Sequence, residues 1–266
     1  MLKCSLLIST YNWPLALQSC LLSVARQSEL PDEIIICDDG SGPETKELIA
    51  LFKKQLDIPV VHIWQPDEGF QLSRIRNKGI AAAKSEYIIQ IDGDLVLHRH
   101  FIKDHLAFRK KESFTTGSRV FLSQDSTGEI FKTKNVSINV FWKGNRNFFN
   151  GLRIPFLQNF LSRRYKNKGD YKYYVKGCNM AFWKKDLLLV NGYNEDFTGW
   201  GREDSEIAIR LMNSGIQKRF LKFGGICYHL YHKEISRQME ERNSRMMKEA
   251  IEKKTTRAIK GLSQYL

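Results

Sequence analysis

Tyr87-Ile88-Ile89-Gln90-Ile91-Asp92-Gly93-Asp94 is an apolar run that ends in two carboxylates around a glycine. The run predicts a buried strand, and its end sets hard oxygen ligands at the edge of a sheet, where Mg²⁺ or Mn²⁺ can bridge to phosphate. Gly93 permits a sharp turn and a close approach of a ligand to the backbone. An Asp-x-Asp pair alone is a common surface feature, so its meaning depends on the rest of the chain.

Upstream, strands and helices alternate. Lys3–Ser9, Glu33–Cys37 and Val60–Trp64 read as strands, and Pro14–Gln27, Pro43–Gln55 and Leu72–Ala83 as helices, the first begun near Asn12 with Pro14 in its first turn. Short connections between such elements imply βαβ units, hence an α/β, Rossmann-like fold with a mixed, mainly parallel central sheet flanked by helices. Ligands of such sheets sit beyond the carboxyl ends of the strands. Ser9-Thr10-Tyr11-Asn12, Asp38-Asp39-Gly40-Ser41 and Asp92-Gly93-Asp94 all fall there. Beyond Phe101 the pattern loosens: Phe101–Lys111 reads as a helix, Thr115–Leu122 as a strand, Ile154–Arg164 as an amphipathic piece, Lys185–Val190 and Ser205–Ser214 as helices, and Ile235–Lys260 as a charged helical tail.

With 266 residues and 42% apolar content, the chain can bury a sizeable core. No stretch reaches the ~18–20 uninterrupted apolar residues of a membrane span. The start, Met1 to Thr10, is too short an apolar run for a secretory signal and lacks its cleavage site, which predicts a cytoplasmic protein. Five cysteines, scattered and without a Cys-x-x-Cys pair, argue against a disulfide framework or a zinc site. The formal charge is +13, and Phe131–Tyr174 holds ten Lys or Arg against Asp170 alone, interleaved with aromatics. That mixture suits an anionic lipid surface, a polyanionic substrate or nucleic acid.

Further constellations carry chemistry. Asp38-Asp39-Gly40-Ser41 is either a polar turn capping a helix or a carboxylate site for a base N–H or ribose hydroxyl. Arg74, Arg76 and Asn77 follow Asp67-Glu68-Gly69-Phe70. Such arginines are ordinarily solvated, but at the ligand edge they can clamp a diphosphate. Gly199-Trp200-Gly201-Arg202-Glu203-Asp204 precedes a helix, whose N-terminus favours carboxylates for purely structural reasons. An aromatic face beside two acids also suits a sugar, with one acid acting as general base. His229 and His232, after an apolar run, are candidates to complete an oxygen-rich metal site, and borderline Mn²⁺ accepts imidazole.

In this order the motifs resemble those of a family 2 inverting glycosyltransferase of the GT-A fold. The C-terminal half resembles the β-1,4-galactosyltransferase and chondroitin-polymerase-like branch, whose acceptor motif Trp200-Gly201-Arg202-Glu203-Asp204 matches. The likeness spans roughly residues 3–233 and leaves out the insert at 131–174 and the tail after 234. It implies that Ser9 and Asp39 contact uracil with Asp38 close by, and that Thr10, Tyr11, Asp92 and Gly93 belong to the nucleotide site. Arg76 would lie near the diphosphate, while Asp94 and His232, with His229 in a position that is also a ligand in galactosyltransferases, would bind the metal. Asp204 matches the catalytic base; Glu203, Trp200 and Gly201 match the acceptor site. Ser205 departs from the pattern, where another acid is common, which bears on the acceptor's identity.

The expectation is one GT-A domain over residues 1–232, with a nucleotide-binding half (1–100) and an acceptor half (101–232), and a charged tail over 233–266. The implied partners are a UDP-sugar, with galactose or N-acetylgalactosamine favoured, a saccharide or lipid-linked acceptor, and Mn²⁺ or Mg²⁺. The implied setting is bacterial cell-surface polysaccharide or lipopolysaccharide synthesis. The insert would serve as a mobile flap or as a surface facing an anionic inner leaflet, making the protein peripheral there, with a solvated loop as the plainer reading, and the tail would serve a homodimer. Two rival readings differ. A nucleic-acid-binding protein would show a recognition module, and none is visible. A sugar nucleotidyltransferase would carry a glycine-rich loop after the first strand, where Ser9–Pro14 has no glycine.

Overall fold

Ile34-Ile35-Ile36 and Ile88-Ile89 are fully buried, as β-branched runs are when helices cover both faces of a sheet. The computed structural model describes residues 3–139, 141–233 and 239–266. Its first half alternates β1 (Ser5–Thr10), α1 (Pro14–Ala25), β2 (Glu33–Asp38), α2 (Pro43–Gln55), β3 (Val60–Trp64), α3 (Leu72–Ala82) and β4 (Tyr87–Asp92). Then follow β5 (Leu95–Leu97), α4 (Phe101–Phe108), β6 (Ser113–Gly117), β7 (Val120–Phe121), α5 (Gln124–Thr133) and α6 (Pro155–Leu161). The chain continues through β8 (Asn179–Trp183), α7 (Lys184–Leu189), α8 (Glu203–Asn213), β9 (Gln217–Leu221), β10 (Cys227–His229) and α9 (Glu240–Glu252).

The main sheet has seven strands in the order β3-β2-β1-β4-β8-β6-β9, and a smaller one runs β5-β10-β7. β8 alone is antiparallel to its neighbours in the large sheet, so that sheet is mixed and mainly parallel. The register sets Ser9 opposite Asp92 and Thr10 opposite Asp38, which lines up three polar strand ends.

The expected strand Thr115–Leu122 is two strands in different sheets. The break falls after Gly117, where a β-carbon would collide with the Asn179 amide. Fully buried Asn179 donates to the carbonyls of Ser118 (2.9 Å) and Gly225 (2.8 Å), holding the crossover. Helix α5 went unforeseen because its first turn is polar; Ser123 caps it, accepting from the Ser126 N–H at 3.1 Å.

The basic insert is tied to the body. The ammonium of Lys218 reaches the carbonyls of Lys166, Tyr171, Lys172 and Tyr174 at 2.7–3.1 Å, and burial lowers its pKa to about 8. Arg153 forks onto Asp104 at 2.6–3.1 Å. The tail helix is shorter than expected, and residues 235–238 of the expected span lie outside the described residues. Beyond α9 the chain turns back, and Ala258 and Leu262 are buried within it. Among the described residues no helix is long and apolar enough to cross a membrane.

Candidate active site

β10 pairs antiparallel with β5, His229 opposite Leu95, and the Leu230 N–H donates to the Asp94 carbonyl at 3.0 Å. This closes the turn after β4 against the end of β10. The Nε2 atoms of His229 and His232 each stand 3.3 Å from Asp94 Oδ2. Each ring is oriented by backbone: His229 Nδ1 lies 2.9 Å from the Leu230 carbonyl, and His232 Nδ1 2.7 Å from that of Lys233. A carbonyl only accepts, so each Nδ1 bears a proton and each Nε2 is left facing the carboxylate. The hydrogen bond to Asp94 raises the His232 pKa; with both rings neutral, three acceptors face one another, an arrangement that a cation among them stabilises. Asp94 Oδ1 is also buried without a hydrogen-bond partner. Two imidazole nitrogens and a carboxylate, oriented from behind by carbonyls, fit a borderline divalent ion such as Mn²⁺. Burial pulls the Asp94 pKa upward, yet the two histidines hold it below the ordinary carboxylate value.

Asp92, across Gly93, is balanced differently. Arg76 on α3 is 1% exposed. Its Nη2 donates to Asp92 Oδ1 at 3.0 Å, its Nη1 to Asp204 Oδ1 at 2.9 Å and its Nε to Ser9 Oγ at 3.2 Å. The Tyr193 ring faces the guanidinium at 5.2 Å, and the Tyr193 hydroxyl donates to Asp204 Oδ1 at 3.2 Å. Gly177 lies so close that a β-carbon there would overlap the Asp204 carboxylate. Asp204 is thus pinned from three sides while 21% of its side chain stays open to solvent. Glu203 stands 4.0 Å from Arg76, and its Oε2 is buried without a partner. Burial, then the charge of Asp204, pushes Glu203 up to about 8. Burial lifts Asp92 to about 6 against the pull of Arg76.

The donors of Arg76, read from sequence as a diphosphate clamp, are directed within the chain at Ser9, Asp92 and Asp204. At the nucleotide end, both oxygens of fully buried Asp38 are engaged, by the Ser41 N–H (2.8 Å) and His62 Nε2 (2.9 Å). Asp39 accepts from Gln65 Nε2 (2.6 Å) and the Gln71 N–H (2.8 Å), and burial raises its pKa. Ser9 and Thr10 are buried beside Gly93, whose N–H donates to the Ser9 carbonyl at 2.7 Å. Tyr11 is half exposed, its hydroxyl donating to Asp67 at 2.8 Å.

Trp200 is 37% exposed in a loop where Gly199, Gly201 and Arg202 all have positive φ. A non-glycine residue in this region costs roughly 1–2 kcal/mol. The tail compensates. Fully buried Asn243 on α9 donates to the carbonyls of Gly201 (2.9 Å) and Thr198 (3.2 Å), while Arg202 reaches Ser244 (3.2 Å) and Glu240 (3.4 Å).

Sequence reasoning missed Tyr193, Gly177, Asn243 and Arg119. None lies in a recognisable motif, and each acts through a contact made only on folding. Arg119 sits between β6 and β7, with Nη1 3.0 Å from Cys178 Sγ and its guanidinium 4.7 Å from the centre of the Phe121 ring.

Residues 5–185 match the family described as Glycosyl transferase family 2. The chain belongs to that family. A second match in this glycosyltransferase, described as the N-terminal domain of galactosyltransferase, covers residues 159–233. The chain is 30% identical over 239 residues to the Escherichia coli chondroitin synthase, covering 85% of this chain and 34% of that protein. It is 28% identical over 244 residues to the Pasteurella multocida hyaluronan synthase, covering 86% of this chain and 24% of that one. The chain thus spans about a third or less of these relatives' length. Among solved structures, the TarS protein of S. aureus superposes with a TM-score of 0.65 at 16% identity, over 99% of this chain and 41% of that one. A mannosyltransferase from Pyrobaculum calidifontis, in complex with GDP-Man and Mn²⁺, gives 0.59 at 15% identity, over 88% and 58%. These likenesses establish the GT-A fold.

Proposed function

We propose that this glycosyltransferase moves a sugar from a UDP-sugar to a hydroxyl of a saccharide, with inversion at the anomeric carbon. One observation carries the reading. The end of β4 supplies one carboxylate, Asp94, to a cluster with the Nε2 atoms of His229 and His232, and another, Asp92, to a cluster that also holds the partly open Asp204. Asp94, His229 and His232 would hold the divalent ion; when bound, it neutralises charge on the departing diphosphate. The remaining chemistry belongs to the chain. Asp204 takes the proton of the acceptor hydroxyl as its oxygen bonds to the anomeric carbon, and the bond from that carbon to the UDP oxygen breaks with its electron pair leaving on UDP. Arg76 and Tyr193 hold Asp204 in one orientation. Glu203, its Oε2 unpartnered, and Trp200 are the side chains suited to the acceptor sugar.

The likenesses to chondroitin and hyaluronan synthases support a saccharide acceptor in polysaccharide synthesis, and the acceptor motif favours galactose or N-acetylgalactosamine as the sugar. The test is transfer from a panel of UDP-sugars to oligosaccharide acceptors, with Mn²⁺ and with EDTA, the product's anomeric configuration being read by NMR. Metal-dependent transfer with inversion supports the reading; retention, or no transfer from any UDP-sugar, contradicts it.

The insert further supports peripheral contact with an anionic membrane. Phe141 (72%), Phe149 (63%), Phe156 (81%) and Phe160 (59%) are exposed among lysines and arginines, and clustered cations at such a surface contribute about 1 kcal/mol each. Co-sedimentation with phosphatidylserine vesicles at low salt tests it; no binding above that to neutral vesicles rejects it.

A further inference from the structure

We propose that Arg119 is the protein cation that grips the diphosphate of the nucleotide-sugar donor, the part the sequence motifs assign to Arg76; this rests on the donor reading above. Arg76 has no capacity for it, being 1% exposed with donors directed at Ser9, Asp92 and Asp204. Arg119 is the opposite case. A guanidinium carries five N–H donors, yet among the described residues the one hydrogen bond the Arg119 guanidinium makes is from Nη1 to Cys178 Sγ, a weak acceptor, and its Nε is buried without a partner there. Burial keeps Cys178 a neutral thiol, its pKa pushed up to about 11, so it does not satisfy the charge.

The position is as telling as the vacant donors. The guanidinium lies over Phe121, whose ring is 5.4 Å from that of His229, on the metal-ligand side. Its sulfur partner follows Gly177, which lies against Asp204, on the base side. A leaving diphosphate must sit between those two sides. The mount is rigid: Phe121 supports the guanidinium plane, and the Arg119 carbonyl accepts from Asn150 Nδ2 at 3.0 Å. Lys176 adds a second cation nearby. Its Nζ makes no hydrogen bond among the described residues and lies 4.8 Å from the Tyr174 ring centre, and after burial the charge of Arg119 is what lowers its pKa. A planar, half-buried fork with unused donors is the geometry that binds phosphate oxygens in pairs.

The ligand chemistry is an oxyanion, and a uronic-acid carboxylate on a sugar is the other source of it. Titration of UDP, uridine, UDP-glucose and UDP-glucuronate in the presence of Mn²⁺ separates the two, using wild type, Arg119→Gln and Arg119→Lys. The expected result is UDP affinity weakened about 10-fold or more in Arg119→Gln, on the scale of a lost charge-assisted pair, and less in Arg119→Lys. Uridine affinity stays unchanged in both. UDP binding equal to wild type in both variants overturns the proposal, as does a loss confined to UDP-glucuronate, which would make Arg119 a reader of the sugar. Should Arg119→Gln fail to fold, the same comparison in Arg119→Lys decides. A wild-type protein that binds neither UDP nor uridine fails the donor reading itself and is thereby distinguished.

Discussion

Asp92 and Asp94 are separated by one glycine, yet their charges are balanced in opposite ways. Asp92 shares a buried guanidinium with Asp204, through the 3.0 Å and 2.9 Å contacts of Arg76, which sits on α3 where that helix packs on β1 and β2. Asp94 meets the Nε2 atoms of two histidines whose Nδ1 protons are turned away to carbonyls, so with both rings neutral the three groups face one another as acceptors. The first cluster brings its own arginine; the second is a ligand set suited to an ion from outside. A site that must hold a base steady benefits from the former. A site that must admit and release an ion with its nucleotide benefits from the latter.

The comparison breaks if the two clusters prove interchangeable. The largest effect is expected from Asp204→Asn, with transfer falling ~10²–10⁴-fold, the usual span for a general base. Mn²⁺-dependent UDP binding should persist; initial rates and calorimetry on one preparation check both. Next comes Arg76→Met, which strands partly open Asp92 and Asp204 and buried Glu203 without their cation. Urea unfolding at neutral pH should show a loss of about 3–5 kcal/mol, the range for breaking a buried ion pair. The stabilisation conferred by Mn²⁺ should survive, because the residues proposed to hold that ion lie on the other side of Gly93.

Glu203 sharpens the comparison through pH. Its pKa rises from 4.5 to about 8 in the fold, so between these values the folded protein holds a proton that the unfolded chain has released. Its contribution to stability is fully present below 4.5 and is lost as pH rises through about 8. Glu203→Gln should flatten the fall in stability across that window, measured by urea midpoints at several pH values; an unchanged slope would place the titration elsewhere. The smallest effect is expected from Asn243→Ala, about 1–3 kcal/mol for the buried carbonyls it leaves unpaired. Acceptor KM should rise with UDP affinity unchanged, since the loop it braces carries Trp200 and leads into Glu203.

Regular alternation made the first half legible: α2 and β3 fall where the residue pattern puts them, and β1, β2 and β4 within a residue or two. The strand-end carboxylates were equally open to reading, because Asp92-Gly93-Asp94 announces its chemistry by residue type. Arg76 was visible but not its destination. Whether an arginine after a strand faces a ligand or turns inward depends on whether buried acids await it, and Asp204 lies 128 residues away. Asn243 shows the same limit more sharply. It sits in a charged helix without any motif, and its value comes from two carbonyls of a loop that folds against it. Thr115–Leu122 misled because apolar alternation records a strand but not that Gly117 and Asn179 send its two ends to different sheets.

The central claim is that Asp94, His229 and His232 form a metal site that serves a uridine nucleotide. Calorimetric titration of UDP with and without Mn²⁺, on wild type and Asp94→Ala, tests it most directly. The account predicts that Mn²⁺ strengthens UDP binding in the wild type and has no such effect in Asp94→Ala. UDP binding that ignores Mn²⁺ in the wild type, or keeps its Mn²⁺ dependence in the variant, would contradict it.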